Sequence, residues 1–249
     1  MAKKKIAISL GRALLEDIDA AAESRGISRS RHMETLLRRG MEAEGAGKVV
    51  ILLRKEHHRA ALSGYKGSTL LSAQADFFRR NGISDVCVLT QRGPRLTELE
   101  MECSAAGMKV ILTGRSGNAE ALREMSGELS GDFVVMSGDV YNDFDLKKMI
   151  ERHKQRNSIA TMGLMSRAES SQYGNAILDG DMITNFQEKP RKAVSNIVNA
   201  GIYVFKPAVF AALKDCASLE RDLFPALAKD GQLAGYFTMG EYFHAQEAR

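Results

Sequence analysis

From residue 49 onward, short apolar runs alternate with amphipathic stretches, and few architectures accommodate that order. Residues 49–53, 85–90, 109–113 and 133–136 are mainly apolar and of strand length. Between them, residues 70–81, 96–106 and 119–129 carry helical periodicity. Nearly continuous hydrophobicity marks strands covered on both faces. The pattern therefore predicts an α/β fold, a mostly parallel Rossmann-like sheet with helices on both faces. Ligands of such sheets bind beyond the carboxyl ends of the strands. That rule places the loop 54–59 and the segment Ser137-Gly138-Asp139 at one mouth.

Composition narrows the function classes without choosing one. Of 249 residues, 44% are hydrophobic and 27% charged, and the net charge is +4. That charge permits a nucleic-acid partner but does not require one. No run of 18 apolar residues occurs, so no membrane partner is expected. Met1-Ala2-Lys3-Lys4-Lys5 leads into an alternating segment, whereas a secretory signal needs a continuous apolar one. Cys87, Cys103 and Cys216 are widely spaced, and Cys87 sits in an apolar run as a core residue would. This usage fits a reduced, cytoplasmic protein. The pair His57-His58 alone is poor evidence for a metal site, which needs three or four converging ligands.

The first 44 residues read differently. Residues 5–10 alternate, with Ile6, Ile8 and Leu10 on one face and Lys5, Ala7 and Ser9 on the other. A helix is expected over 12–25, ended by Gly26, and a second from an N-cap at Ser28 to about residue 42. One strand and two helices bury too little surface to stand alone, but two copies with paired strands could. The strand, the entry Leu10-Gly11-Arg12-Ala13-Leu14-Leu15 and the turn Gly26-Ile27-Ser28-Arg29-Ser30 together resemble the ribbon-helix-helix family. The resemblance implies a homodimer or higher oligomer that lays a two-stranded ribbon in the major groove of double-stranded DNA. Lys3, Lys4, Lys5, Ala7 and Ser9 would meet the groove, and Ser28, Arg29 and Ser30 would hold a phosphate at a helix N-terminus. Ala7 offers no hydrogen bond to a base edge, so a plain dimerisation clip is the other reading. The expected domains are 1–44, a linker 45–48, and 49–249.

A second resemblance covers the rest. Phe133-Val134-Val135-Met136-Ser137-Gly138-Asp139-Val140 is followed by Asp143-Phe144-Asp145-Leu146, then Tyr173-Gly174 and Asp179-Gly180. Phe186-Gln187-Glu188-Lys189-Pro190, Asn199-Ala200-Gly201-Ile202-Tyr203 and Leu219-Glu220-Arg221-Asp222-Leu223-Phe224-Pro225 continue the series. The order is similar to that of sugar-1-phosphate nucleotidyltransferases, which implies a nucleotide-diphospho-sugar transferase-like fold. It also implies attack of a sugar phosphate on a nucleoside triphosphate, with Mg²⁺ as cofactor. By position, Asp139 would hold the metal; Gly174, Glu188 and Asn199 would line the sugar pocket; Lys189 would meet the sugar phosphate. Tyr173-Gly174 and Asn199-Ala200-Gly201 also read as turn and strand residues of the fold, and Asp139 reads equally as a capping or solvent-facing aspartate.

Two positions depart from that family. Where its loop reads G-G-x-G-x-R, this chain has Arg54, Lys55, Glu56, His57, His58 and Arg59. Bulky residues keep backbone N–H groups from a triphosphate, although Arg54, Lys55, His57, His58 and Arg59 could bind phosphate by their side chains, or form a solvated basic loop or a patch that meets DNA. Thr238 stands where the family places a second metal aspartate, and Glu241 nearby has the wrong spacing for a simple exchange. These departures suggest a DNA-binding transcriptional regulator. Its large domain would be a pseudoenzyme that binds a nucleotide or sugar-phosphate effector or builds the oligomer, with no residue assigned a catalytic role. The alternative is an active, Mg²⁺-dependent nucleotidyltransferase that releases pyrophosphate, with residues 1–44 serving dimerisation or autoregulation. A domain with no ligand at all is the third reading.

Overall fold

The computed structural model describes residues 9–44, 47–237 and 239–245. The chain divides into two compact units, Met1–Glu44 and Gly45–Arg249. In the first, helices α1 (Arg12–Ser24) and α2 (Arg29–Glu44) form a hairpin. Gly26, at φ 61°, turns the chain between them. Ser28 Oγ accepts from Arg31 N at 3.3 Å, which is the expected N-cap. Among the described side chains of this unit, only Ile18, Ala22 and His32 are buried. The strand expected over 5–10 falls mostly outside the described residues, as do Lys3, Lys4, Lys5 and Ala7; Ser9 and Leu10 have no regular structure.

The second unit opens on β1 (Lys48–Leu53), a 3₁₀ turn (Lys55–His57) and the short α3 (His58–Ala61). A small hairpin follows, β2 (Gly64–Tyr65) and β3 (Ser68–Thr69), then α4 (Leu70–Arg80). Next come β4 (Val86–Thr90), α5 (Leu96–Ala105), β5 (Lys109–Leu112), α6 (Asn118–Glu124) and β6 (Phe133–Ser137). The chain continues through β7 (Val140–Asn142), α7 (Leu146–Gln155), β8 (Ala160–Ser166), β9 (Gly174–Asp179) and β10 (Met182–Glu188). It then forms β11 (Ile197–Phe205), α8 (Val209–Ala212), a π-helical turn (Leu219–Leu223) and α9 (Phe224–Lys229). The last strands are β12 (Leu233–Phe237) and β13 (Tyr242–His244).

Nine strands build one sheet in the order β5-β4-β1-β6-β11-β8-β12-β10-β9. Strand periodicity divides the core between its faces. Val49, Ile51 and Leu53 pack with α4, α5 and α7, whereas Val50 turns to the opposite cluster with α6, α8 and α9. Each fully buried Leu, Ile or Phe there contributes about 1.5–3 kcal/mol.

The expected "mostly parallel" sheet is corrected to a mixed one. β5, β4, β1 and β6 are parallel neighbours, as is the pair β8–β12. β6–β11, β11–β8, β12–β10 and β10–β9 are antiparallel. For β9 and β10 the reason lies in connection length: a parallel crossover needs about a dozen residues, but only Gly180 and Asp181 separate the two strands. Gly180 makes that turn at φ 59°.

Candidate active site

Strand β6 delivers Asp139 to the carboxyl edge of the parallel half. Gly138 N donates to Leu52 O at 2.9 Å, and a Cβ at Gly138 would lie 2.8 Å from Leu53 Cδ1. Leu53 would have to shift to admit a side chain here. Gln74, fully buried on α4, donates from Nε2 to Ser137 O at 2.9 Å and Val140 O at 2.6 Å. It thereby fixes both sides of the Asp139 loop. β13 pairs with β7, setting His244 opposite Val140, and Ala245 N donates to Asp139 O at 3.0 Å.

The Asp139 carboxylate is contacted by two imidazoles, His57 Nδ1 at 2.9 Å and His244 Nε2 at 3.8 Å. Burial works against its charge, but the His57 hydrogen bond and the two imidazoles outweigh burial and hold the carboxyl below its ordinary range. Asp139 is therefore a cavity group with only 13% of its side chain exposed, not a solvent-facing or helix-capping one. The cap of α7 is Asp145, which accepts from Lys148 N at 3.2 Å.

The loop after β1 is helical rather than open. Lys55 N donates to Gln91 Oε1 at 2.9 Å, His57 N to Arg54 O at 2.9 Å, and His58 N to Lys55 O. Those N–H groups are committed within the protein, so phosphate at this mouth would be met by side chains. His58 points inward, buried, with Nε2 2.7 Å from Thr90 Oγ1; burial pushes its pKa down.

A cavity of about 980 Å³ joins Asp139 to the antiparallel half of the sheet. Arg54, Gly174, Glu188, Lys189 and Asn199 all line it, as the motif positions imply. Lys55 and Arg59 are exposed and stand outside its lining, because the helical turn rotates them away. Asn199 Nδ2 donates to Tyr203 OH at 2.7 Å and its Oδ1 accepts from Gly201 N at 2.8 Å, which fixes the amide in a bulge of β11. Burial and the nearby Glu220 charge raise the pKa of Glu188. Glu220 is itself held by Asn118 Nδ2 at 2.9 Å and Ser218 Oγ at 3.0 Å. Gly174 faces Glu188 across β9–β10, where a Cβ would lie 2.4 Å from Phe186 Cζ.

Thr238 lies outside the described residues. Glu241 does not replace a metal ligand: its carboxylate accepts from Tyr65 OH at 2.8 Å and from Lys66, and it is not part of the cavity lining. His57, one of the loop side chains expected to bind phosphate, lines the cavity but bonds Asp139; the sequence pattern did not point to His244, Arg167, Tyr242, Gln91 or Asn118. Most of these reach the site through strand pairing or turns that no local pattern encodes.

Comparison with known proteins decides the family. The model of the family described as nucleotidyl transferase matches residues 43–243. The chain belongs to the nucleotidyl transferase family. It is 31% identical over 175 residues to the mannose-1-phosphate guanylyltransferase catalytic subunit beta of Danio rerio, covering 66% of this chain and 49% of that protein. The chain thus spans about half the length of the curated relatives it matches. A protein assigned as a glucose-1-phosphate thymidylyltransferase of Bacillus anthracis, solved with sucrose, superposes with a TM-score of 0.70 at 18% identity. That match covers 80% of this chain and 90% of the other. A UDP-glucose pyrophosphorylase solved with UDP-glucose gives a TM-score of 0.66 at 16% identity, over 80% and 92% of the two chains. These two likenesses speak to the fold.

The family match and the named relatives overturn the reading of a DNA-binding transcriptional regulator with a pseudoenzyme domain. The structure supplies a physical reason at one position: Arg29, expected to meet a DNA phosphate, donates from Nε and Nη2 to the two oxygens of the Asp19 carboxylate within its own hairpin. Among the described residues, no helix is long and apolar enough to cross a membrane.

The donor set fits a divalent cation completed by substrate. Mg²⁺ is ordinarily held by one or two carboxylates together with substrate phosphates, and Asp139 supplies one carboxylate at the cavity wall. Among the described residues, no three His, Cys, Asp or Glu side chains converge into a cage of their own.

Proposed function

We propose that residues 49–249 form a sugar-1-phosphate nucleotidyltransferase domain, with mannose 1-phosphate and GTP as the first substrate pair to test. The observation that carries this reading is the shared cavity. It places Asp139, from the parallel half of the sheet, across from Gly174, Glu188, Lys189 and Asn199 of the antiparallel half. The names of the relatives motivate the choice of sugar and nucleotide.

In this reaction a phosphate oxygen of the sugar phosphate forms a bond to the α-phosphorus of the triphosphate. The α–β bridging bond breaks, and pyrophosphate leaves with the electron pair. Glu188 and Asn199 orient the sugar through its hydroxyls, and Lys189 meets the attacking phosphate. Arg54, which lines the cavity beside His57, faces the leaving phosphates as a side-chain fork in place of a glycine-rich cradle. Mg²⁺ bound at Asp139 would supply charge neutralisation on the phosphates. The hydrogen bond from His57 Nδ1 and the carbonyl clamp of Gln74 keep the carboxylate aimed at that position.

Residues 1–44 serve self-association on this reading. Leu14, Leu36 and Leu37 are exposed at 51%, 40% and 54% on a hairpin too small to bury a core of its own. A second copy is the covering partner.

The test is a pyrophosphate-release assay over a panel of nucleoside triphosphates and sugar 1-phosphates with Mg²⁺. Release with at least one pair, reduced a hundredfold or more by Asp139→Asn, supports the reading. A panel silent throughout contradicts it.

A further inference from the structure

At the wall of the same cavity, one cation is set up as a binding group yet has no role in the motifs. Arg167 follows the end of β8, where its backbone N donates to Asn196 O at 2.9 Å. Its guanidinium carbon lies 4.8 Å from the centroid of the Tyr242 ring. Tyr242 is braced edge-on by Tyr173, with ring centroids 6.3 Å apart and planes at 65°. A guanidinium lying over an aromatic face keeps its N–H edge available, and that edge matches two oxygens of a carboxylate or phosphate.

The Nε atom of Arg167 is buried and has no hydrogen-bond partner among the described residues. With Nε covered by protein, the edge that the guanidinium can offer a ligand is the one formed by its Nη groups.

A second cation sits on the same wall under a backbone constraint. Lys189 adopts φ 44°, a left-handed conformation unfavourable for a side chain with a Cβ. Its N–H is tied to Tyr173 O at 3.2 Å, and its side chain lines the cavity with Arg167 and Tyr242. Strained backbone of this kind is retained where it aims a functional group. Tyr173 therefore links both cations, holding Lys189 by its carbonyl and the platform of Arg167 by its ring.

We infer that Arg167, seated on Tyr242, is the second arm of a clamp for the phosphate of the sugar-phosphate acceptor, with Lys189 as the first. The inference rests on the nucleotidyltransferase reading for its choice of ligand. Arg167 is a binding residue, and Tyr242 is a positioning residue that acts through it. The clamp selects a phosphomonoester over the free sugar, because two cations converge where an unphosphorylated sugar would offer only a hydroxyl.

The 249-residue chain is to be titrated calorimetrically with mannose 1-phosphate, glucose 1-phosphate, mannose and GTP, and compared with Arg167→Ala, Arg167→Lys and Tyr242→Leu. Arg167→Ala should weaken sugar-phosphate binding at least tenfold while leaving GTP binding within twofold. Arg167→Lys should recover only part of the loss, and Tyr242→Leu should weaken the same ligands in the same direction. Equal binding by wild type and Arg167→Ala overturns the clamp, as does a parallel loss of GTP binding or the absence of any sugar-phosphate binding by the wild type. The clamp and the reaction can fail separately. Arg167-dependent binding without pyrophosphate release leaves the clamp standing and removes the reaction. Turnover with an unchanged sugar-phosphate KM in Arg167→Ala does the reverse.

Discussion

A carboxyl group raised by burial and by a neighbouring charge holds its proton more tightly in the fold than in the unfolded chain. Glu188 is such a group, with burial the larger cause and Glu220 the next. The sign follows from linkage: the native state binds more protons between the unfolded and folded pKa, so stability falls as pH rises through that window. At neutral pH the ionised Glu188 is thus a burden on the fold, compatible with a site that needs a carboxylate for sugar hydroxyls. Glu188→Gln removes the charge at constant shape. It should raise the melting temperature by scanning calorimetry while raising the sugar-phosphate KM at least tenfold. Gly174→Ala should act in the opposite sense on stability. Its Cβ would lie 2.4 Å from Phe186 Cζ and 2.8 Å from Glu188 Oε2. Forced repacking of this kind costs about 1–3 kcal/mol, measurable as a lowered urea midpoint.

Individual elements show which parts of the fold were legible in the sequence. β1, β4, β5 and β6 stood out because buried parallel strands are nearly continuous in hydrophobicity, and the structure places them within a residue or two of the expected bounds. Helix ends were less legible: α6 stops at Glu124 although apolar periodicity continues toward 129. The antiparallel half was under-read, because hydrophobicity does not encode strand direction; only the two-residue turn at Gly180 and Asp181 signals it. Within the candidate site, Asp139, Gly174, Glu188, Lys189 and Asn199 were found through motif order. His244 and Tyr242 were not, since they enter only when β13 pairs with β7. For His57 a phosphate contact was expected, and its pairing with Asp139 was not legible because the two are distant in sequence.

Helix α7 carries a further expectation. His153 is fully buried, with Nδ1 2.8 Å from Thr161 Oγ1, and burial, helped by Lys206 and Lys154, lowers its pKa to about 4. The unfolded chain protonates this residue near ~6.5. Stability is therefore full above about pH 6.5 and lost as pH falls toward 4, by up to about 3 kcal/mol. His58, lowered by burial as well, adds to the same slope. Urea midpoints recorded between pH 7.5 and 4 should show the decline, and His153→Gln should flatten it.

Across the whole molecule, the division into Met1–Glu44 and Gly45–Arg249 separates two physical problems. The larger unit has apolar clusters on both faces of its sheet and holds every cavity residue discussed above. Among its described side chains, the smaller buries only Ile18, Ala22 and His32 and exposes Leu14, Leu36 and Leu37. A chain beginning at Gly45 should therefore fold and keep sugar-phosphate binding, while light scattering should report a monomer where the full chain reports a dimer or larger assembly. A full chain that is monomeric at the same concentration would remove the self-association role of residues 1–44.

The central claim is nucleotidyl transfer at Asp139, and phosphorus NMR of the full chain with GTP, mannose 1-phosphate and Mg²⁺ tests it most directly. The account expects equimolar pyrophosphate and a sugar-linked nucleoside diphosphate, with both signals lost in Asp139→Asn. An unchanged spectrum, or products that persist undiminished in Asp139→Asn, would contradict it.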